Sequence, residues 1–74
     1  MSSILLHQIN PTRNMARFYA LSVEPTFFGE AGVLRHWGRL GTKGRYRLDL
    51  YASRNEALLA LAKMARTKRR RGYV

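Results

Sequence analysis

The hydrophobic pattern of this chain changes its period once, close to Ser53. Before that residue, short apolar runs separated by turn residues are typical of β-strands, whereas the apolar residues after it recur at helical spacing, at positions 57, 58, 61, 62 and 65. The tetrapeptide Ser53-Arg54-Asn55-Glu56 has the form of a capping box, in which a serine N-cap precedes a glutamate by three residues. We therefore predict one C-terminal helix that runs to about Arg70 and ends near Gly72.

Four segments before the helix are predicted to be strands. The turn signal Asn10-Pro11 ends the first, and Pro25 ends the second. Residues 41–44, Gly-Thr-Lys-Gly, fit a four-residue hairpin loop between the third and the fourth. Residues 26–32 are predicted to be a loop whose two phenylalanines are candidates to tuck under the sheet edge. The predicted strands cover residues 4–9, 15–23, 33–40 and 45–51.

The length of 74 residues leaves room for one thin core, because folding at this size buries only about 60% of the surface that the unfolded chain exposes. We predict an α+β fold, an antiparallel β-sheet of about four strands with one C-terminal α-helix packed on one face, as a single domain over residues 1–74. The absence of cysteine excludes disulfides and thiolate zinc sites. The apolar runs are too short for a secretory signal or a bilayer span, so we expect a soluble, cytoplasmic protein.

The net positive charge is confined to the second half of the chain. Residues 1–34 sum to zero, whereas residues 35–74 carry twelve bases against two acids, which accounts for the whole net charge of +10. Eleven of the fourteen basic residues are arginine. The planar guanidinium of arginine matches phosphate oxygens and stacks on nucleobases. This asymmetry indicates a polyanionic partner more than a merely solubilising surface.

Strand alternation divides the third and fourth predicted strands into two faces. We predict that the more apolar face packs against the helix; it carries Leu34, His36, Gly38, Leu40, Tyr46, Leu48 and Leu50. The opposite face combines Trp37 with Arg35, Arg39, Arg45 and Arg47. On this pattern Trp37 points to solvent as a stacking platform for a sugar or base. Alternation alone leaves a core position for Trp37 equally open, because a bulge near Gly38 would reverse the facing.

No constellation of catalytic or metal-binding residues is visible in the sequence. The two histidines are far apart, the four acids show no paired arrangement, and no nucleophile lies beside a base. Residues 41–44 lack the spacing of a phosphate-binding loop. We therefore expect no catalysis, no metal, no cofactor and no small-molecule substrate.

Trp37-Gly38-Arg39, followed by Leu40-Gly41 and Gly44, resembles the motif that names the WGR domain. The resemblance covers residue 10 to the C-terminus, through Asn14, Phe18-Tyr19, Phe28-Gly29, Glu56-Ala57, Lys68 and Gly72-Tyr73. WGR domains occur in DNA-damage-sensing poly(ADP-ribose) polymerases, in a bacterial molybdate metabolism regulator, and as small stand-alone bacterial proteins, which this chain resembles most.

The resemblance implies an antiparallel sheet with a packed helix. It also implies that Trp37 packs on the sugar at a DNA strand end, while nearby basic residues contact the DNA backbone. In the polymerases the arginine of the motif communicates with neighbouring domains, so Arg39 is left here for a phosphate contact or for the local fold.

We therefore expect a non-enzymatic nucleic-acid-binding module of low sequence specificity, with DNA favoured over RNA. An adaptor that docks an acidic protein through the same basic face is the alternative, whereas membrane binding is disfavoured because the helix stripe is rich in alanine. A monomer is expected. The basic run 68–71 is either a second contact or a frayed, solvated helix end. The expected nucleic-acid contacts are Arg35, Trp37, Arg39, Lys43, Arg45, Arg47, Lys68 and Arg70.

Overall fold

The protein is a four-stranded antiparallel sheet with one helix, seen in a computed structural model that describes residues 2–26 and 29–74. The strands follow one another in the sheet in the order β1-β2-β3-β4, each antiparallel to the next. This confirms the predicted α+β fold. The elements are β1 (Ser3–Asn10), a 3-10 turn (Pro11–Arg13), β2 (Met15–Pro25), β3 (Ala31–Arg39), β4 (Arg45–Tyr51) and α1 (Arg54–Arg70).

The connection between β2 and β3 is shorter than predicted. Pro25 is the last residue of β2, where it pairs with Ala31 at the start of β3. Proline lacks a donor N–H, and this matters less at a strand end than in its interior. The prediction that Phe27 and Phe28 tuck under the sheet edge concerns residues that lie outside the described part of the chain.

Both ends of the helix are capped by the residues that predicted them. Ser53 Oγ accepts a hydrogen bond from the Glu56 N–H at 3.2 Å. The Glu56 carboxylate accepts from the N–H of Ala52 at 3.1 Å, one residue earlier than in the usual box. At the C-terminal end Gly72 has a φ of 101°, and Tyr73 N–H donates to Lys68 O while Gly72 N–H donates to Arg69 O, the two bonds of a Schellman motif.

The helix covers the opposite face of the sheet from the one predicted. Val33, which is completely buried, pairs with Val23 under the helix, and this places every second residue of β3 from Val33 onward on the helix side. Leu34, Leu48 and Leu50 therefore face away from the helix. The buried core consists of Leu6, Tyr19, Leu21, Val23, Ala31, Val33, Ala57, Leu61, Ala65 and Tyr73.

The last residues hold the end of the helix against the sheet. Tyr73 is buried in the core, and His7 and Val74 exchange two backbone hydrogen bonds of 2.8 Å. Gln8 Nε2 donates to the carbonyl of Arg71 at 2.7 Å. The helix end is therefore not frayed, although Arg69, Arg70 and Arg71 are exposed, and Lys68 is held on a capped element.

Among the described residues, the structure contains no helix with the length and apolarity needed to cross a membrane.

Candidate nucleic-acid interface

A cavity of about 460 Å³ opens beside the C-terminal end of α1, on the helix side of the sheet. The strand register creates it, because Arg17 of β2 pairs with Arg39 of β3 and Tyr19 pairs with Trp37. Its volume lies within the range of about 300–1,000 Å³ that ligand sites usually occupy. The cavity is lined by Arg17, Tyr19, Trp37, Gly38, Arg39, Lys68 and Tyr73.

Trp37 lies at the boundary between the core and this cavity. It is half-buried, packs against the core cluster and contacts Tyr19 at a ring-centroid distance of 6.1 Å. The prediction that Trp37 points to solvent on a face without the helix is therefore wrong, and so is a fully buried position. The indole is an aromatic wall that the core holds in place on one side and that lines the cavity on the other.

Lys68 brings a positive charge over the aromatic floor of the cavity. Its Nζ lies 4.4 Å from the centroid of the Tyr19 ring and 5.6 Å from that of Tyr73. Burial lowers the pKa of Lys68 below its ordinary value of 10.5, and the charges of Arg71, Arg35 and Arg17 lower it further. Repulsion among these cations makes the site favourable for an anion.

Asp49 forms ion pairs with two of the arginines that were predicted to contact phosphate. Its carboxylate accepts from Arg35 at 2.6 Å and from Arg47 at 3.0 Å. Burial alone would raise the pKa of Asp49, but the hydrogen bonds and charges of Arg47 and Arg35 outweigh it and hold the pKa below 3.8. Arg35 and Arg47 therefore lie on the predicted face but are engaged, whereas the exposed Arg45 pairs directly with Trp37 across the strands.

Arg39 has a local structural role and also lines the cavity. Its guanidinium donates to the backbone carbonyl of Asn14 at 3.1 Å and to the side-chain oxygen of Asn14 at 3.2 Å. The backbone of Asn14 adopts the left-handed conformation, with a φ of 51°, at the turn between β1 and β2. Arg39 thus orients that turn, and the turn in return restrains the guanidinium at the rim of the cavity.

The glycine of the Trp-Gly-Arg motif is required by the hairpin loop rather than by the helix. A Cβ at Gly38 would lie 2.7 Å from the Cα of Gly44, which itself has a φ of 69° and would clash with the Trp37 carbonyl if substituted. Gly38 faces away from the helix, so its predicted position on the face that the helix covers is wrong. The close approach of the loop to β3 fixes the strand on either side of Trp37.

Lys43 and Arg70 lie outside the cavity. The loop that carries Lys43 folds toward the other sheet face, where the Lys43 carbonyl is 2.6 Å from Nε2 of His36. Arg70 is exposed on the last turn of α1 and lines neither of the two cavities described here.

Sequence reasoning missed three residues of the cavity, Arg17, Tyr19 and Tyr73. Arg17 and Tyr19 share a strand face by alternation, but the pairing of β2 with β3 that places them beside Trp37 has no local sequence signal.

A second cavity of about 260 Å³ shares Tyr19 and Lys68 with the first. Its remaining lining residues are Arg35, Lys63, Met64, Thr67 and Arg71.

Comparison with known proteins places this site in a family. The model of the WGR domain matches residues 2–74, almost the whole chain. The chain belongs to the WGR domain family. The WGR domain is, in general, a module of the nucleic-acid-binding type.

This WGR domain is also similar to an uncharacterized protein, y4dW, of Sinorhizobium fredii strain NBRC 101917 / NGR234. The two are 41% identical over 70 residues, which is 95% of this chain and 34% of the relative. The chain therefore spans about a third of the length of that protein. No solved structure gives a significant match.

Proposed function

We propose that this WGR domain binds nucleic acid, DNA in preference to RNA, without catalysing a reaction and with low sequence specificity. Trp37 and Tyr19 contact a sugar or base inside the cavity, while Arg17, Arg39 and Lys68 meet the adjoining phosphates. The observation that carries the proposal is the lining itself: three aromatic rings and three cations, with no carboxylate among the described residues that line the cavity. Aromatic faces with flanking cations are the usual elements of a nucleic-acid site.

The charges around the cavity support an anionic ligand. Among the described residues, the ion pairs found are those of Asp49 with Arg35 and Arg47, so Arg17, Arg39 and Lys68 have no carboxylate partner. Burial is the largest cause of the lowered pKa of Lys68, and repulsion from the charges of Arg71, Arg35 and Arg17 lowers that pKa further. A phosphate placed among them removes this repulsion, so part of the binding energy comes from relief of a cost that the free protein bears.

The contacts available to this site carry little sequence information. Stacking on an indole is possible for every base, and phosphate contacts position a duplex without reading it. Arg45, across from Trp37, extends the basic surface along β4, and Arg70 is exposed on the last turn of α1, whereas the loop that carries Lys43 folds toward the other sheet face. We therefore assign these outer residues to weaker backbone contacts.

The test compares variants that each lose one positive charge, at different positions on the sheet and on α1. Arg17→Gln and Lys68→Gln each remove one positive charge at the cavity. Arg54→Gln removes the same charge at the first residue of α1, about 21 Å from Lys68 at 1.5 Å per residue. Affinity is measured by fluorescence anisotropy with labelled single-stranded, blunt-duplex and nicked-duplex DNA and with matched RNA, over a series of salt concentrations.

We expect each cavity variant to reduce the slope of log K against log salt by about 0.9, the value for one lost phosphate contact. Arg54→Gln should reduce the slope by much less. Equal effects of all three variants would reduce the binding to net charge alone and would overturn the cavity assignment. Loss of nucleic-acid binding altogether, with saturable capture of an acidic protein that nucleic acid does not compete for, would favour the adaptor function instead.

A further inference from the structure

The sheet face that points away from the helix is apolar and largely exposed, although the loop between β3 and β4 folds toward one end of it, beside Phe18 and His36. Five large side chains on this face are between 53% and 64% exposed: Leu5, Ile9, Tyr46, Leu48 and Leu50. They lie on the two outer strands, with Ala20 and Leu34 between them on β2 and β3. Contiguous apolar surface of this kind on a small domain usually marks an interaction site.

The strands themselves have the composition of a sheet that is buried on both sides. An antiparallel sheet with one solvated face normally alternates apolar and polar residues. Here β1 contains the uninterrupted run Ile4-Leu5-Leu6, in which Leu6 is buried in the core and Leu5 is 59% exposed on the other face. In β4 the polar residues Arg45, Arg47 and Asp49 lie on the helix side. The alternation is thus the reverse of what a solvated outer face requires.

The strands place few charged residues on this face. Among the strand residues that point away from the helix, Glu24 is the one acid or base if histidine is counted as neutral. The arginines of β3 and β4, by contrast, all lie on the helix side. Among the described residues, an acidic protein or a nucleic acid therefore finds no cation on the strands of the open face to pair with, whereas an uncharged apolar surface matches it.

We propose that a second copy of this chain covers the open face, so that two sheets pack face to face as an eight-stranded sandwich. Each copy then buries the side chains that its own helix cannot reach. The two basic faces point outward on opposite sides, separated by two sheets about 10 Å apart. Their repulsion is screened at that separation by physiological salt, whose Debye length is about 8 Å.

The area of the face is sufficient for a dimer of modest stability. At about 3.3 Å per residue and about 4.8 Å between strands, four strands of about eight residues cover roughly 26 by 19 Å, or roughly 500 Å². Two copies together bury about 1,000 Å², which is the lower limit for a specific interface. The protruding side chains add further area to this flat estimate. We therefore expect a reversible, concentration-dependent dimer in place of the monomer expected from the sequence.

The test is sedimentation equilibrium of the whole chain from about 5 µM to about 1 mM, the range in which weak interfaces associate. We expect the mean mass to rise from the monomer mass of 8.6 kDa toward twice that value. Leu48→Lys places a charge in the proposed interface, and its aliphatic stem can still cover Gly32, against which Leu48 packs. Leu59→Lys is the matched control, because Leu59 is 73% exposed on the outer side of the helix.

Leu48→Lys should weaken dimerisation at least tenfold, while Leu59→Lys should leave it unchanged. Far-ultraviolet circular dichroism establishes that each variant is folded, and Leu50→Lys serves as a second interface variant if Leu48→Lys is not. A mass that stays at 8.6 kDa over the whole range would overturn the proposal, as would dissociation by the control or full dimerisation of both interface variants. These measurements need no nucleic acid, so their outcome is independent of the proposed function.

Discussion

In the proposed function, Trp37 both stabilises the fold and contacts the ligand. Its indole packs on the core beside Tyr19 and also lines the cavity with Arg17, Arg39 and Lys68. Burial on one side restricts the rotamers of the ring, so a ligand does not have to order it on binding. The two roles are measurable separately because stability and affinity depend on different sides of the same side chain.

Trp37→Ala should lower both the stability of the domain and its affinity for nucleic acid. The free energy of unfolding should fall by about 2–3 kcal/mol, less than for a fully buried tryptophan because Trp37 is half-buried. Affinity should fall by about 1–3 kcal/mol, the value of one stacked base. Urea unfolding and anisotropy measure the two quantities, and Trp37→Phe, which keeps part of the packing, should lose less of each.

The same residue provides a direct optical measurement. Trp37 is the sole tryptophan of the chain, so its emission reports the cavity alone. Added oligonucleotide should change this emission and reduce its quenching by iodide. An emission that titrates with neither reagent would contradict the placement of the ligand against the indole.

Asp49→Asn should have opposite effects on stability and on affinity. It removes the shared partner of Arg35 and Arg47, which should cost about 1–2 kcal/mol of stability at neutral pH. It also frees both guanidiniums and raises the net charge by one unit above +10, so affinity for nucleic acid should increase.

The pH dependence of this variant follows from the pKa of Asp49. Although burial opposes it, the pKa is held below 3.8 by Arg47 and Arg35, so the pairing contributes fully above pH 3.8 and is lost as the pH falls through the folded value. The stability difference between wild type and Asp49→Asn should therefore shrink as the pH falls below 3.8. A stability difference that stays constant down to pH 2 would mean that the charge of the Asp49 carboxylate is not the source of the stabilisation.

The helix α1 is the element that connects the stability of the fold to the site. Its N-terminal end is set by Ser53 and Glu56, far from the cavity, whereas its C-terminal end is set by Gly72 and Tyr73 and carries Lys68. The buried stripe Ala57, Leu61 and Ala65 lies between these ends. The small alanines let the helix approach the sheet closely, so the position of Lys68 depends on packing along the whole helix.

Ser53→Ala should destabilise the protein without changing its affinity. It removes the acceptor for the Glu56 N–H, which costs about 1 kcal/mol. Thermal unfolding followed by circular dichroism measures the loss, and anisotropy below the transition measures binding. Loss of binding with an unchanged melting temperature would contradict the assignment of Ser53 to a purely structural cap.

The whole molecule separates charge from apolar surface. Residues 35–74 supply all of the net charge of +10, and the fold places the strand arginines among them on the helix side of the sheet. The face on the other side is nearly free of charge and apolar. One side is thus suited to a polyanion and the other to a second copy of the chain.

Binding of wild-type protein to nucleic acid should depend strongly on salt. If four to six phosphates are neutralised, log K should fall with log salt at a slope of about −4 to −5, and affinity should drop about a hundred- to a thousandfold between about 50 and about 200 mM salt. Anisotropy or gel mobility over that range measures the slope. Retained affinity with a slope near zero would rule out the phosphate contacts.

The elements of this protein follow from local sequence signals. The capping box at Ser53, the turn residues between the strands and the change of hydrophobic period each act within a few residues, so the number and order of strands and the position of the helix were predictable. Alternation also grouped Trp37 correctly with Arg35, Arg39, Arg45 and Arg47 on one face, because the side-chain period of a strand is a local property.

The face that the helix covers was decided by the tertiary structure. Leu48 and Leu50 appeared to be the better core residues, but β3 is placed by Val33, which packs with Val23 and the small stripe of the helix, and this brings the arginine face to the helix side. Such pairings join residues that are distant in sequence, and neither strand alone encodes which of its faces is covered. The cavity beside Trp37 exists for the same reason: Arg17, Tyr19, Lys68 and Tyr73 reach it from three separate segments, and packing alone brings them together.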